Sequence, residues 1–429
     1  MNYGVITYRK SIRPKSTNWS NIGDPIQSYA AIKLLERMGI KEECLTKINR
    51  YDVSDYKGDE VKLLYNGYTA MFNQYMHKFN SLPVPQNIIP VFTSILFHNR
   101  VIDEDIIAQL KEYSPIGARD EETYNNLKRL GVESYISGCV TATLPRRTKD
   151  PSKKKVFLVD VPESLIKHIP NDILEISEKI SHQPFIERLS EEVVLTEEEY
   201  ERYYNISVEQ LLRYRDEATL VVTSRLHAAS PCMAMGVPVI VVGNYIDGRF
   251  SWLDKYLHLY MPEEFDKIDW YPNAVEYEED KELLIKMFHS VLTDSNEKKI
   301  LIDQVHNLYI NRKRCLYNNS LVSALKELNL PENTKYAMWG IRADMHNMLN
   351  VIKDYFPNWT PMGIIDENST GSFEGFDICP SKEIEKMDKD IVYFVVPQAA
   401  HKYAMDYLDK IGRRYIIVKN GIELNKYGF

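Results

Sequence analysis

The chain has 429 residues, of which 44% are hydrophobic and 27% charged, and its formal net charge is −8. This composition is typical of a globular protein of two or three domains, and the negative charge argues against nucleic acid or an anionic membrane surface as a partner. No run of about 18 apolar residues occurs, so the sequence predicts no membrane-spanning helix. The N-terminus lacks the basic-then-apolar order of a signal peptide, which predicts a cytoplasmic protein.

The first part of the chain alternates between predicted strands and helices, which predicts an α/β domain over residues 1–148. A strand over residues 2–8 is followed by a helix whose start is predicted at Asp24, a favoured N-cap, and whose end is predicted near Gly39. Further elements are predicted in chain order: strands at 61–65, 88–97 and 114–118, and helices at 103–111 and 121–130.

A charged segment with a proline, residues 146–155, predicts a solvated linker rather than a phosphate-binding site. A strand at 156–161 then opens a second α/β domain, predicted over residues 149–330. Helices are predicted near Glu197 and at 207–216, 281–292 and 296–313, with the last two closing this second domain. Two α/β domains joined by a linker are typical of a GT-B-like arrangement of Rossmann-like domains, with the active site in the cleft between them.

The segment at 219–242 is the most informative part of the second domain. Two β-branched apolar runs flank a helical stretch of small residues, which predicts a parallel βαβ unit. Arg225 and His227 stand at the carboxyl end of its first strand, where open α/β sheets bind ligands. The pair therefore indicates a site for an anionic substrate that gains or loses a proton. In the structural alternative, Arg225 bonds a carboxylate and His227 caps backbone carbonyls.

Residues 331–429 predict a small third domain that is also Rossmann-like, with strands near Tyr336, Met362 and Ile391. Only Gly340 stands where the dinucleotide fingerprint needs three glycines. A structural or assembly role is therefore favoured over nucleotide binding. In the nucleotide case, Asp366 would hold a ribose hydroxyl.

Other catalytic signatures are missing from the sequence. It has no His-x-x-x-His or Cys-x-x-Cys pair, no phosphate-binding Gly-x-x-x-x-Gly-Lys loop and no Gly-x-Ser-x-Gly elbow. We therefore expect neither a metal ion nor a cofactor.

Four segments resemble motifs of one known family. Ser-Arg-Leu-His-Ala-Ala at 224–229, followed by Met-Gly-Val-Pro-Val at 235–239, resembles the signature of the polysaccharide pyruvyl transferase family. Asn-Ile-Gly-Asp-Pro-Ile-Gln at 21–27, Gly-Ala-Arg-Asp at 117–120 and the stretch at 135–144 resemble further family segments in the same order. The resemblance covers roughly residues 1–330.

The resemblance implies a chemistry. The family moves the pyruvyl group of phosphoenolpyruvate onto sugar hydroxyls as a ketal, so phosphoenolpyruvate is the expected donor and a sugar or lipid-linked oligosaccharide the expected acceptor. His227 is the expected general acid, since the ordinary histidine pKa of about 6.5 lies near working pH. Arg225 and Arg119 are expected to clamp the anionic donor. A salt bridge to Asp120 or Glu121 is the structural alternative for Arg119.

The resemblance also implies substrate-binding residues. Arg249 is the one basic residue in the loop where the family carries a cation. Asp24 is expected on the acceptor side, where it would orient or deprotonate a sugar hydroxyl, unless it is only a helix cap. Asn21 and Gln27 would add neutral hydrogen bonds to the sugar.

Two rival functions fit the same residues. One is a GT-B glycosyltransferase with a nucleotide-sugar donor, in which Arg225 would hold the pyrophosphate. The other is a non-catalytic scaffold in capsule assembly. The sequence leaves the acceptor sugar and the oligomeric state open.

Overall fold

The computed structural model describes residues 2–9, 21–69, 82–97, 104–184, 195–244, 248–310, 316–341, 343–373, 375–397, 400–419 and 423–429. The described chain forms two compact units, one up to residue 310 and the other from residue 316 onward. Asp103 and Lys313, the predicted ends of two helices, lie outside the described residues.

The first unit contains a six-stranded parallel sheet. Its strands are β1 (Asn2–Thr7), β2 (Leu45–Asn49), β3 (Val61–Thr69), β4 (Ile88–Phe97), β5 (Ile116–Ala118) and β6 (Ser134–Ile136). They are connected in part by helices α1 (Gly23–Arg37), α2 (Glu104–Glu112) and α3 (Glu121–Arg129). The spatial order β2-β1-β3-β4-β5-β6 reverses direction between β1 and β3, which makes that gap the topological switch point of the sheet.

A second parallel sheet belongs to the same unit. Its strands are β7 (Lys155–Val159), β8 (Ser177–Ile180), β9 (Ala218–Thr223), β10 (Val239–Val242) and β11 (Leu259–Tyr260), with helices α4 (Asn171–Glu175), α5 (Glu197–Glu217) and α6 (Leu226–Ala234). The order β11-β10-β9-β7-β8 places its switch point between β7 and β9. Sequence analysis predicted two helices where α5 is one. The Ser207 hydroxyl donates to the Tyr203 carbonyl at 2.7 Å, so this polar residue is satisfied inside a continuous helix.

The last two helices of the unit, α7 (Glu278–Thr293) and α8 (Lys298–Ile310), return to the first sheet. His306 Nδ1 accepts the backbone N–H of Ile136 at 3.1 Å, and Lys62 Nζ donates to the Leu292 carbonyl at 2.9 Å. These helices, expected to close the second domain, thus contact the first sheet as well as α6, because Lys281 of α7 donates to the Ala234 carbonyl at 3.0 Å. The α/β class with GT-B-like, Rossmann-like domains is confirmed.

The second unit carries a seven-stranded sheet. Its strands are β12 (Lys335–Trp339), β13 (Thr360–Ile365), β14 (Ser372–Phe373), β15 (Phe376–Cys379), β16 (Val392–Val395), β17 (Arg414–Lys419) and β18 (Glu423–Tyr427). Its helices are α9 (Leu316–Glu327), α10 (Ala343–Tyr355) and α11 (His401–Lys410). The order is β14-β15-β13-β12-β16-β17-β18, parallel except at the two edge pairs. Because α9 packs on α10 and β18, the unit begins one helix earlier than the predicted boundary at residue 331.

Candidate functional site

The site lies where the N-terminal ends of α1 and α6 meet within the first unit. A methyl group added to Gly23, in the first turn of α1, would lie 2.7 Å from Nδ1 of His227, in the first turn of α6. A glycine is therefore required for this approach. Since α1 follows β1 and α6 follows β9, the contact joins the carboxyl ends of strands from both sheets of the unit.

His227 is half-buried, and its Nε2 atom is buried without a hydrogen-bond partner among the described residues. Burial, then the positive charges of Arg119 and Arg249, hold the pKa of His227 well below its ordinary value. The imidazole is therefore neutral near pH 7. Because Nε2 has no carbonyl partner, the structural alternative of a capping histidine does not account for it.

Arg119 follows β5 and is only 2% exposed. Its Nη1 donates to Gln27 Oε1 at 3.4 Å, and its Nε forms a long ion pair with Asp120 Oδ2 at 3.9 Å, which is the salt bridge of the structural alternative. Asp120 itself caps α3 by accepting the Thr123 N–H at 2.9 Å. A buried guanidinium with such long contacts is under-satisfied, so its surroundings favour an added anion.

Asp24 is not the N-cap of α1, so its structural alternative is wrong. The helix begins at Gly23 with Ile22 at the cap, and the Gly23 N–H is instead accepted by Asn21 Oδ1 at 3.2 Å. Asp24 Oδ1 accepts from Gln27 Nε2 at 3.4 Å. Burial raises the Asp24 pKa above its ordinary value, although nearby guanidinium groups oppose the shift. This moves the carboxylate toward the basicity that proton transfer requires.

Two further arginines lie close to Asp24. Arg249 follows Gly248, and its charge acts on both Asp24 and His227. Sequence analysis missed Arg50, which directly follows β2 and is 4% exposed. Its guanidinium lies over the rings of Tyr51 and Tyr8, at 4.4 and 5.1 Å from their centroids. A cation immediately after a predicted strand would have been the signal, but β2 was not predicted.

Arg225 lies at the switch point of the second sheet, two residues before His227. Its Nε donates to Oδ2 of Asp160 at 2.7 Å, and the same oxygen accepts the His182 N–H at 2.9 Å. Burial would raise the Asp160 pKa, but these two donors outweigh it and the pKa lies below its ordinary value. Arg225 thus has the carboxylate partner of its structural alternative, while its side chain remains 34% exposed.

Asp160 is a site residue that sequence analysis missed. It follows β7 with φ of +48°, in the left-handed region. Its carbonyl accepts the Ser224 hydroxyl at 2.7 Å, and its side chain bonds Arg225, so it ties the ends of β7 and β9 together. Its signal was an acidic residue at the predicted end of a strand.

The structure thus brings six of the seven sequence-predicted residues together: Asn21, Asp24, Gln27, Arg119, His227 and Arg249. Among the described residues, no group of three or more His, Cys, Asp or Glu side chains is placed to hold a metal ion. Within the same part of the chain, no helix combines the length and apolarity needed to cross a membrane.

Three solved structures show distant similarity to the chain. A functionally uncharacterised protein from Klebsiella pneumoniae is 16% identical over 57% of this chain and 84% of its own, with a TM-score of 0.32. The GsuK channel is 8% identical over 65% and 68%, with a TM-score of 0.27. An FpvC mutant from Pseudomonas aeruginosa is 12% identical over 64% and 92%, with a TM-score of 0.21. At these scores none of the three bears on function.

No curated protein matches the chain in sequence. One family model does match, that of polysaccharide pyruvyl transferase, over residues 21–245. The matched segment includes every predicted site residue except Arg249, which follows it closely. Because it spans just over half of the sequence, the chain belongs to the polysaccharide pyruvyl transferase family, which is a family of transferases.

Proposed function

We propose that this chain transfers the pyruvyl group of phosphoenolpyruvate to a pair of sugar hydroxyls, as a ketal, on a surface polysaccharide or a glycolipid-linked precursor. The observation that carries the proposal is the neutral, unpartnered His227 beside the buried Arg119, with Asp24 on the other side of Gln27. This arrangement sets a proton donor, an anion site and a base side by side.

The donor carries a carboxylate and a phosphate, which need cationic partners. Arg119 and Arg249 supply two, and Arg225 supplies a third from the switch point of the second sheet. Guanidinium groups bind both anions in planar, bidentate geometry. Asp160 acts through Arg225: its ion pair fixes the guanidinium so that less side-chain entropy is lost on binding.

His227 would protonate the methylene carbon of the donor. In the free protein its pKa is depressed by burial and by Arg119 and Arg249. The bound donor's negative charge offsets those cations, so the pKa of His227 rises and the imidazole takes up a proton when the donor arrives. The general acid is therefore charged only in the complex.

Bond changes balance without another reactant. The proton from His227 turns the methylene into a methyl group, and the first sugar oxygen bonds the carbon that bears carboxylate and phosphate. The carbon–oxygen bond to phosphate then breaks, and a second sugar oxygen closes the ketal. The two hydroxyl protons restore His227 and protonate the released phosphate. Asp24, whose pKa is raised by burial, is the base that accepts a hydroxyl proton and passes it on.

A donor screen tests the proposal. The full-length protein is incubated with a panel of glycosides and either phosphoenolpyruvate or nucleotide sugars, and phosphate and nucleotide release are both measured. We expect glycoside-dependent phosphate release from phosphoenolpyruvate and a product heavier by the pyruvylidene group. Nucleotide release from a nucleotide sugar, with no phosphate from phosphoenolpyruvate, would show that the glycosyltransferase alternative is correct.

A further inference from the structure

The switch point of the first sheet, between β1 and β3, carries polar atoms to which the catalytic proposal gives no role. We infer that this switch point is a subsite for a neutral, polyhydroxylated ring, and that Tyr8 and Asn66 donate and accept hydrogen bonds to its hydroxyls. The inference rests on the proposed function, because the ring it identifies is the acceptor sugar.

Tyr8 directly follows β1 and is 2% exposed. Its Oη atom is buried and has no hydrogen-bond partner among the described residues. An unpartnered buried hydroxyl is rare, because leaving it unpaired costs about 1–3 kcal/mol. The Arg50 guanidinium stacked 5.1 Å from the ring centroid fixes the ring, so the hydroxyl is held at this position.

Gly67 provides the space at the hydroxyl. Its φ is +94°, and a methyl group there would lie 2.3 Å from Tyr8 Oη and 3.4 Å from Gln27 Oε1. Tyr8 on one side of the switch point and Gly67 on the other are therefore in contact, with Gln27 beside them. Any residue larger than glycine would displace the phenol.

Asn66 gives an independent sign of a missing ligand. It precedes Gly67, within the register shift of β3 against β4, and is 1% exposed. Neither Oδ1 nor Nδ2 has a hydrogen-bond partner among the described residues. A side-chain amide and a phenol together offer both donors and acceptors, which is what sugar hydroxyls require.

Charge separates this subsite from the donor site. Burial, and after it the negative charge of Asp24, raise the pKa of Tyr8, so the phenol stays protonated and can donate. Gln27 bridges the two regions, because Nε2 donates to Asp24 and Oε1 accepts from Arg119. Arg50 and Arg119 also act on the Tyr8 phenol and oppose part of this shift, so the Asp24 carboxylate and these guanidinium groups offset one another there. Uncharged hydroxyl groups suit this balance of charge, and we therefore place the neutral sugar on the Tyr8 side and the anionic donor on the Arg119 side.

Direct glycoside binding without donor tests the inference. The probes are the 4-nitrophenyl β-glycosides of galactose, glucose and mannose, and affinity is measured by calorimetry on the full chain. For the glycoside that binds the wild-type protein best, we expect Tyr8→Phe and Asn66→Ala to weaken binding by roughly 3- to 10-fold each, the value of one hydrogen bond. Tyr8→Phe should melt no lower than wild type, because it removes an unsatisfied group.

Tyr135→Phe is the matched control. Tyr135 is also a buried tyrosine of the first sheet, but its hydroxyl donates to Met287 Sδ at 3.5 Å, so glycoside binding should not change. Absence of glycoside binding to the wild-type protein, or unchanged binding by both Tyr8→Phe and Asn66→Ala, would overturn the subsite. A protein that transfers nothing from phosphoenolpyruvate yet needs Tyr8 to bind glycosides would keep the subsite and lose only the donor assignment.

Discussion

The switch point of the first sheet, between β1 and β3, differs in what occupies it from that of the seven-stranded sheet of the second unit, here called the third sheet, whose switch point lies between β12 and β16. In the first sheet, Tyr8 Oη and the Asn66 amide remain without partners among the described residues. In the third sheet, the Pro397 ring, just beyond β16, lies against Gly340, just beyond β12, so closely that a methyl group on Gly340 would lie 2.0 Å from its Cγ. The first crevice holds a phenol and an amide without partners, and the Pro397 ring occupies the second, where His401 Nε2 at the start of α11 is also buried without a partner among the described residues.

The acidic residues near the two switch points, Asp366 in the third sheet and Asp24 in the first unit, also differ in their hydrogen-bond partners. Asp366, just beyond β13, accepts the Ile341 N–H at 3.1 Å and the Asn368 N–H at 2.9 Å. Asp24 in the first unit accepts from the side-chain amide of Gln27 at 3.4 Å and lies near the charges of Arg50, Arg119 and Arg249. We therefore assign the ligand site to the first sheet, where a buried phenol and amide lack partners, rather than to the third, where the carboxylate of Asp366 is paired.

The largest expected effect is on His227. His227→Gln should bind the donor but turn over about 10²–10⁴-fold more slowly, because an amide cannot deliver a proton. Calorimetry in buffers of different ionisation enthalpy should show proton uptake on donor binding by the wild-type protein and none by the variant. Single-turnover rates equal to wild type would exclude His227 as the general acid.

Arg225 should affect affinity rather than chemistry. We expect Arg225→Ala to weaken phosphoenolpyruvate binding by about 2–4 kcal/mol, because a charge-assisted bond to the donor is lost. Asp160→Asn keeps the guanidinium but loosens it, so it should raise the donor KM by a smaller factor with kcat nearly unchanged. Unchanged donor binding by Arg225→Ala would mean that the ion pair with Asp160 is purely structural.

The lowered pKa of His182 predicts how folding stability depends on pH. Burial lowers the pKa of His182 to about 4 from its ordinary 6.5. Between these values the unfolded chain binds a proton that the folded chain refuses, so folding stability falls as pH drops from 6.5 to 4, by about 3 kcal/mol. His182→Gln should flatten the profile of unfolding free energy against pH in this window. Parallel profiles for wild type and His182→Gln would contradict this assignment.

The smallest effect is expected in the second unit. Asp366→Asn should weaken the bonds to the Ile341 and Asn368 amides and destabilise that turn by about 1 kcal/mol, measured by hydrogen exchange of these two amides. Pyruvyl transfer should be unaffected. Loss of transfer in a variant that remains folded would show that this unit has a catalytic role.

Much of the fold follows from local pattern. The runs of β-branched residues predicted β7, β9, β10, β12 and β16, because strands buried on both faces are nearly continuous in apolar residues. Short strands such as β2 and β6 were missed, since a few residues inside a sheet carry no periodicity. The path of α7 and α8 was also missed. Their contacts with Ile136 and Lys62 join positions far apart in the chain, which no local pattern encodes.

For the site, sequence alone determined the residue types and the family to which they belong: the motifs containing Asp24, Arg119, Arg225 and His227 are contiguous strings. Tertiary structure decided which of them face one another. It placed His227 against Gly23, turned Arg225 toward Asp160 and showed that Asp24 caps nothing. The physical reason is that the hydrogen-bond partners of a side chain and the degree of its burial depend on the residues packed around it. Whether a histidine is neutral or an oxygen lacks a partner depends on chain segments that only folding brings together.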